Sequence, residues 1–255
     1  MSKRIRRTAV LAVALTLALG ATATGIDACI GPLCVSSTVD MRPRELPAKG
    51  NAPITLSSIT RVKTKDGSTP PTLGVIDFLI DKHGAVNSKA FPVCPPSKLE
   101  GATTAQARRR CAGALVGTGT GEARVTMPDR PPFEMKSAVS FFNAAPTGGR
   151  PTLIAHAYET VPAPKALLVP IVVERVAKGR YGYHVRVELP EVAGGYGAPT
   201  LAEAKIGATI KRKGKKVGFI SAHCSGGRLQ VEGNLTFTNG DRFPTTLTSP
   251  CHTPR

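Results

Sequence analysis

Three groups of residues in this chain have the types and spacing to do chemistry. Asp77 and Asp81 lie four apart on a segment that reads as a strand, so their carboxylates share one face, and His83 follows in the adjoining His83-Gly84 turn. An acid pair beside an imidazole is what a secreted hydrolase would use. The same residues also suit the water-facing end of a strand, where carboxylates are common. The second group, Lys211-Arg212-Lys213-Gly214-Lys215-Lys216, sets five cations around one glycine. Charges that dense cannot be buried unpaired, so the segment must project into solvent as a turn between two strands. Such a tip either blocks edge pairing or docks an anion-rich polymer. Arg108, Arg109 and Arg110 make a further basic run that faces anions on the same reasoning. The third group is the six cysteines, Cys29, Cys34, Cys94, Cys111, Cys224 and Cys251.

Other catalytic and cofactor constellations are missing. No GxSxG elbow, HExxH helix or phosphate loop occurs. Gly117-Thr118-Gly119-Thr120-Gly121 has the look of a nucleotide loop, but it follows a helix and enters a strand, the reverse of the order that cradles phosphate. Those glycines read instead as places of close sheet packing or bulges. His156, His184, His223 and His252 are isolated in sequence, and His223-Cys224 has no second donor pair nearby, so neither a metal nor any other cofactor is expected. With no Trp and four Tyr, the chain lacks the aromatic faces that stack on sugars or bases, which argues against both an aromatic carbohydrate platform and specific nucleic-acid recognition.

The elements that must position these residues are mostly strands. Runs at 54–62, 73–80, 115–127, 137–143, 152–161, 166–176, 181–189, 201–212, 216–224, 228–238 and 243–248 are bounded by turn pairs such as Asp66-Gly67, Gly148-Gly149 and Asn239-Gly240. Several alternate: Tyr181, Tyr183, Val185, Val187 and Leu189 fall on one face, with His184, Arg186 and Glu188 on the other. Helical spacing occurs once, where Ala107, Cys111 and Leu115 share a face, with Thr103 or Thr104 able to cap the start. The expected fold is therefore all-β, an antiparallel β-sandwich of about eleven strands with one short helix near 102–114. The sandwich domain occupies 53–255, as one body or as two Greek-key halves meeting near 145–151. Residues 24–52, rich in Pro, Ser and charge, read as a flexible lead-in.

Composition and the N-terminus place the chain outside the cytosol. Lys3, Arg4, Arg6 and Arg7 precede an apolar run at 9–19 and the small-x-small Ala21-Thr22-Ala23, the pattern of a secretory signal peptide over 1–23. The run is too short for an ordinary membrane span. Without the four charges of that leader, a formal net charge of +17 becomes +13, so the mature protein is basic in its own right. In an oxidising compartment an even cysteine count invites pairing. Proximity favours Cys94–Cys111 and Cys224–Cys251 and leaves Cys29 with Cys34. Cys29 also ends Ile26-Asp27-Ala28-Cys29, which faintly resembles a lipobox, so acylation at Cys29 stands as an alternative to a disulfide.

Several of these features together resemble a known set. Cys94-Pro95, Leu99, the helix with Cys111, Ala114-Leu115-Val116-Gly117-x-Gly119, Val161-Pro162-Ala163-Pro164 and Pro250-Cys251 are similar to a group of secreted proteins predicted from soil actinobacteria, over roughly residue 50 to the end. The resemblance implies export and a β-rich body, and carries no activity. The expectation is an exported, non-enzymatic basic protein of the cell envelope or medium. It would act by surface contact with an anionic envelope polymer or another envelope protein.

Overall fold

The computed structural model describes residues 25–254, so the expected signal peptide lies outside the described residues. In chain order the strands are β1 (Gly25–Ile30), β2 (Leu33–Arg42), β3 (Ala52–Pro53), β4 (Thr55–Thr64), β5 (Leu73–Asp81) and β6 (Gly84–Val86). Helix α1 (Thr104–Arg110) precedes β7 (Leu115–Val125), β8 (Phe133–Thr147), β9 (Arg150–Glu159), β10 (Lys165–Lys178), β11 (Tyr181–Glu188) and β12 (Gly197–Ile206). The chain ends with β13 (Thr209–Arg212), β14 (Lys215–Gly218), β15 (Ile220–Ala222), β16 (Arg228–Phe237) and β17 (Arg242–Pro250).

The chain is all-β and antiparallel with one α-helix, as its alternation predicts. Its layers come from one sheet of twelve strands, ordered β1-β2-β4-β12-β7-β8-β9-β10-β11-β5-β16-β17. Strands β8 and β9 stay paired up to their turn, with a shift of register between Ala144 and Thr147. The sheet curls until its ends face each other: Leu33, Val35 and Val62 from β2 and β4 pack with Leu235, Phe237 and Phe243 from β16 and β17. Hydrogen bonds then join the tails. Met41 N–H donates to Ser249 Oγ (3.1 Å), Leu46 N–H to the His252 carbonyl (2.9 Å) and His252 N–H to the Arg44 carbonyl (2.9 Å).

The flexible lead-in expected over 24–52 is thus corrected. Its residues supply β1, β2 and β3 and one side of the closure. Leu33, Val35, Val39 and Met41 do alternate, but Ser37 interrupts the apolar row; it is buried and its hydroxyl pairs with that of Thr60 at 2.8 Å. A satisfied hydroxyl can occupy a core position that an apolar pattern does not reveal.

Helix α1 packs on the outer face of β8 and β9. Thr103 is the cap: its Oγ1 accepts from Gln106 N–H (3.3 Å) while Gln106 Oε1 accepts from Thr103 N–H (2.9 Å). Ala107 and Cys111 face Phe142 and Ile154, and Cys111 is bridged to Cys94. That bridge closes a short loop and constrains the unfolded chain by about 3 kcal/mol on the chain-entropy model, which matters for a helix too short to persist alone. The segment leading to Cys94 is held by Asn143, whose buried amide donates to the carbonyls of Ser88 (3.1 Å), Phe91 (3.2 Å) and Pro92 (3.0 Å). Beneath the helix, buried His156 donates through Nε2 to the Ala102 carbonyl at 2.9 Å. Its burial pushes the imidazole below its ordinary value, against the opposing pull of that hydrogen bond.

The glycines of β7 allow the curl. A Cβ at Gly119 would run into the Glu203 carbonyl oxygen of β12, whereas one at Gly121 would rest 3.7 Å from Val139. Gly119→Ala is expected to lower stability by about 1–3 kcal/mol, and Gly121→Ala by clearly less, read from urea midpoints. His156 gives a second expectation. The unfolded chain takes up its proton first, so this residue's contribution to stability falls as pH drops below the ordinary imidazole value of 6.5. His156→Gln keeps a donor for Ala102 and should flatten the pH dependence of the urea midpoint over that window.

Candidate functional site

The basic segment forms the expected projecting hairpin, in a two-stranded sheet of its own. Lys213 and Gly214 make the turn with φ of 47° and 75°, the left-handed pair that matches hairpin twist. Thr209 pairs with Gly218, Ile210 with Val217, Lys211 with Lys216 and Arg212 with Lys215. Directly opposed residues share a face, so Ile210 and Val217 root the hairpin in the core around Phe219, and the cations stand beyond them. Phe219 N–H donates to the Ala208 carbonyl (2.8 Å), and Gly207 N–H to the Val116 carbonyl (3.1 Å), fixing the hairpin where β12 leaves the sheet. Lys211, Arg212, Lys213, Lys215 and Lys216 are all exposed. None forms an ion pair among the described residues, although Asp and Glu elsewhere hold their neighbours closely. Like charges directly opposite one another destabilise a hairpin, and this one has two such pairs in succession.

The three arginines of α1 do not act as one patch. Arg108 is half-buried and donates through Nε to buried Ser140 Oγ at 2.9 Å. It also lines an open trough of about 420 Å³ with Lys205, Glu203, Thr118 and Ser57. Arg110 donates to the Lys98 carbonyl at 3.3 Å, and Arg109 is exposed. Gly117–Gly121 lies inside β7 with its backbone in the ladder, which removes the nucleotide-loop reading.

Asp77 and Asp81 are held in separate networks. Asp77 Oδ1 accepts from His184 Nε2 at 2.9 Å and Oδ2 from Arg186 at 3.2 Å. Partial burial works against its charge, but His184 and Arg186 hold the carboxyl below the ordinary carboxylate value. Asp81 is deeply buried. Its Oδ1 accepts from His83 N–H (3.0 Å) and lies 2.6 Å from His83 Nδ1, while Oδ2 accepts from Arg180 Nε (2.9 Å) and Gln230 N–H (3.2 Å). Four donors fill the acceptor positions of one carboxylate, leaving none for a substrate or an attacking water. Asp81 and His83 are thus in contact, while Asp77, the third residue of the alternative hydrolase reading, is held apart by His184 and Arg186.

Sequence spacing could not reveal Arg180, which reaches Asp81 from the β10–β11 turn, or His223, whose ring meets that of His83 at 4.9 Å between centres. Each comes from a distant segment. All three expected disulfides are present, Cys29–Cys34, Cys94–Cys111 and Cys224–Cys251. The Cys29 sulfur is thereby bonded to Cys34, which corrects the alternative of a lipid on that atom. Among the described residues no group of three or more His, Cys, Asp or Glu converges as a metal site, and no helix is long and apolar enough to cross a membrane.

No family model, curated protein or solved structure matches this chain.

The two carboxylates predict different costs. Asp81→Ala takes the acceptor from the His83 and Gln230 backbone N–H groups, from a partly buried imidazole and from a guanidinium that keeps access to solvent, and should cost about 1–3 kcal/mol in urea unfolding. Asp77→Ala removes a partly exposed pair and should cost about 0–1 kcal/mol. Equal losses would show that Asp81 is not held as its hydrogen bonds imply.

Proposed function

We propose that this is an exported, non-enzymatic basic protein of the cell envelope or medium that works by surface contact with an anionic polymer. The contact point is the β13–β14 tip, with its exposed cations Lys211, Arg212, Lys213, Lys215 and Lys216. One observation carries the reading: Lys211 opposes Lys216 and Arg212 opposes Lys215, with no acidic partner. Blocking an edge against unwanted strand pairing needs a single charge. Two like-charged rungs and a charged turn residue go beyond that need and give up hairpin stability, a cost that a polyanion threading past the tip would offset.

Other features agree with export. The leader pattern precedes residue 24, and all six cysteines are oxidised, the state that persists outside the reducing cytosol. The filled carboxylate of Asp81 favours contact over hydrolysis.

Binding of fluorescent polyphosphate and of isolated acidic wall polymer, titrated at rising salt, tests this. Affinity should fall steeply between about 0.01 M and 0.15 M salt, where the screening length shrinks from about 30 Å to 8 Å. Replacing Lys211, Lys213 and Lys216 with Glu should weaken low-salt binding at least tenfold without moving the urea midpoint downward. Salt-independent retention, or full binding by the triple variant, overturns the proposal.

A further inference from the structure

We propose that His83 and His223 form a binding site for one divalent late transition-metal ion, copper(II) in preference to zinc or nickel. The pair is built by the small sheet ordered β3-β15-β6. β15 pairs with β3 through Ala222–Ala52 and with β6 through Ala222–Gly84, so Asn51, His83 and His223 flank the same end of three adjacent strands. His223 N–H donates to the His83 carbonyl at 3.1 Å, fixing the two backbones together.

Each imidazole is oriented from behind. His83 Nδ1 lies 2.6 Å from Asp81 Oδ1, and that carboxylate is itself held by Arg180 and Gln230. His223 Nδ1 lies 2.7 Å from Asn51 Oδ1. An acceptor facing each Nδ1 sets the ring's proton on that side, so that in the neutral imidazole the Nε2 lone pair is the one offered. An imidazole that donates one nitrogen to a carboxylate or carbonyl and offers the other is the usual arrangement of a metal-binding histidine. Neither Nε2 has a hydrogen-bond partner among the described residues, and neither is among the buried polar atoms left unpaired, so both reach solvent.

The rings meet edge to face with centres 4.9 Å apart and planes at 83°. An ion bonded to each ring at about 2.0–2.1 Å can bridge that separation, with water completing its shell. Two nitrogen donors and no thiolate, carboxylate or further imidazole make a weak site for most ions. The order of affinities for such donors peaks at copper(II). This site lies on a different sheet from the basic hairpin and does not rest on polymer binding.

Copper(II) titration of the disulfide-intact chain, followed by calorimetry and electron paramagnetic resonance, tests the proposal. One equivalent should bind with hyperfine coupling from two imidazole nitrogens. His83→Gln and His223→Gln should each weaken binding about 100-fold and leave at most one coupled nitrogen. Asn51→Ala should weaken it about 10-fold, as loss of an orienting partner does. His252→Ala, at an exposed histidine paired only with Glu45, should change nothing. Should His83→Gln lower the urea midpoint, His223→Gln decides, because its ring has only Asn51 as a hydrogen-bond partner. An unchanged two-nitrogen signal in His223→Gln, or no saturable copper binding by the parent chain, overturns the site.

Discussion

The interior of this protein exists because one long antiparallel ladder bends far enough for its ends to face each other. A twelve-stranded sheet with one apolar face has nothing else large enough to cover it, since the single helix occupies part of the opposite side. Curling lets β2 and β4 serve as the cover for β16 and β17. The bend requires backbones to approach more closely than a side chain permits, and Gly119 and Gly233 stand where a Cβ would strike the neighbouring strand's carbonyl. Closure also gives the strand ends partners, because the chain after β2 hydrogen-bonds to the chain after β17. The Cys224–Cys251 bridge fastens the β17 tail beside Leu46 and Leu229.

Alternation and turn residues disclosed the strands that carry uninterrupted apolar rows. β11 reads from Tyr181 to Val187, and β16 from Leu229 to Phe237, because each second residue is apolar. The helix showed itself through Ala107 and Cys111 and a threonine cap. Strands whose inward row includes a satisfied hydroxyl stayed hidden, as Ser37 in β2 shows. So did the very short β3 and β6, which have too few residues for any period and are ordered by pairing with β15. The run at 201–212 looked continuous but is broken at Gly207 and Ala208, where the chain turns from the large sheet into the hairpin.

The candidate sites differed in the same way. A cluster of five cations within six residues is local, so its exposure followed from the cost of burying charge. The cross-strand opposition of those cations needed the register of the turn as well. The Asp81 neighbourhood is non-local: Arg180, His223, Gln230 and Asn51 come from four separate segments. Spacing placed Asp77 and Asp81 on one face correctly in principle, yet a shared face does not make a shared site. Their neighbours on β11 and β16 divided them, His184 and Arg186 drawing Asp77 outward while Arg180 sealed Asp81 within.

Which cations lack partners carries more information than the net charge. With 34 basic residues against 17 acidic ones, many cations must go unpaired wherever the chain folds. Acids could have been spread evenly among them, but they are concentrated instead. Asp40 takes both Arg42 and Arg44, Asp77 takes His184 and Arg186, and Glu174 takes Arg150. The hairpin receives none. An evenly diluted excess would raise the potential over the whole surface and repel the chain from itself everywhere. Gathering five unpaired cations on a two-stranded projection places the densest part of that repulsion outside the twelve-stranded ladder. The hairpin therefore carries its run of cations beyond the ladder, while Ile210 and Val217 tie its base to the core around Phe219.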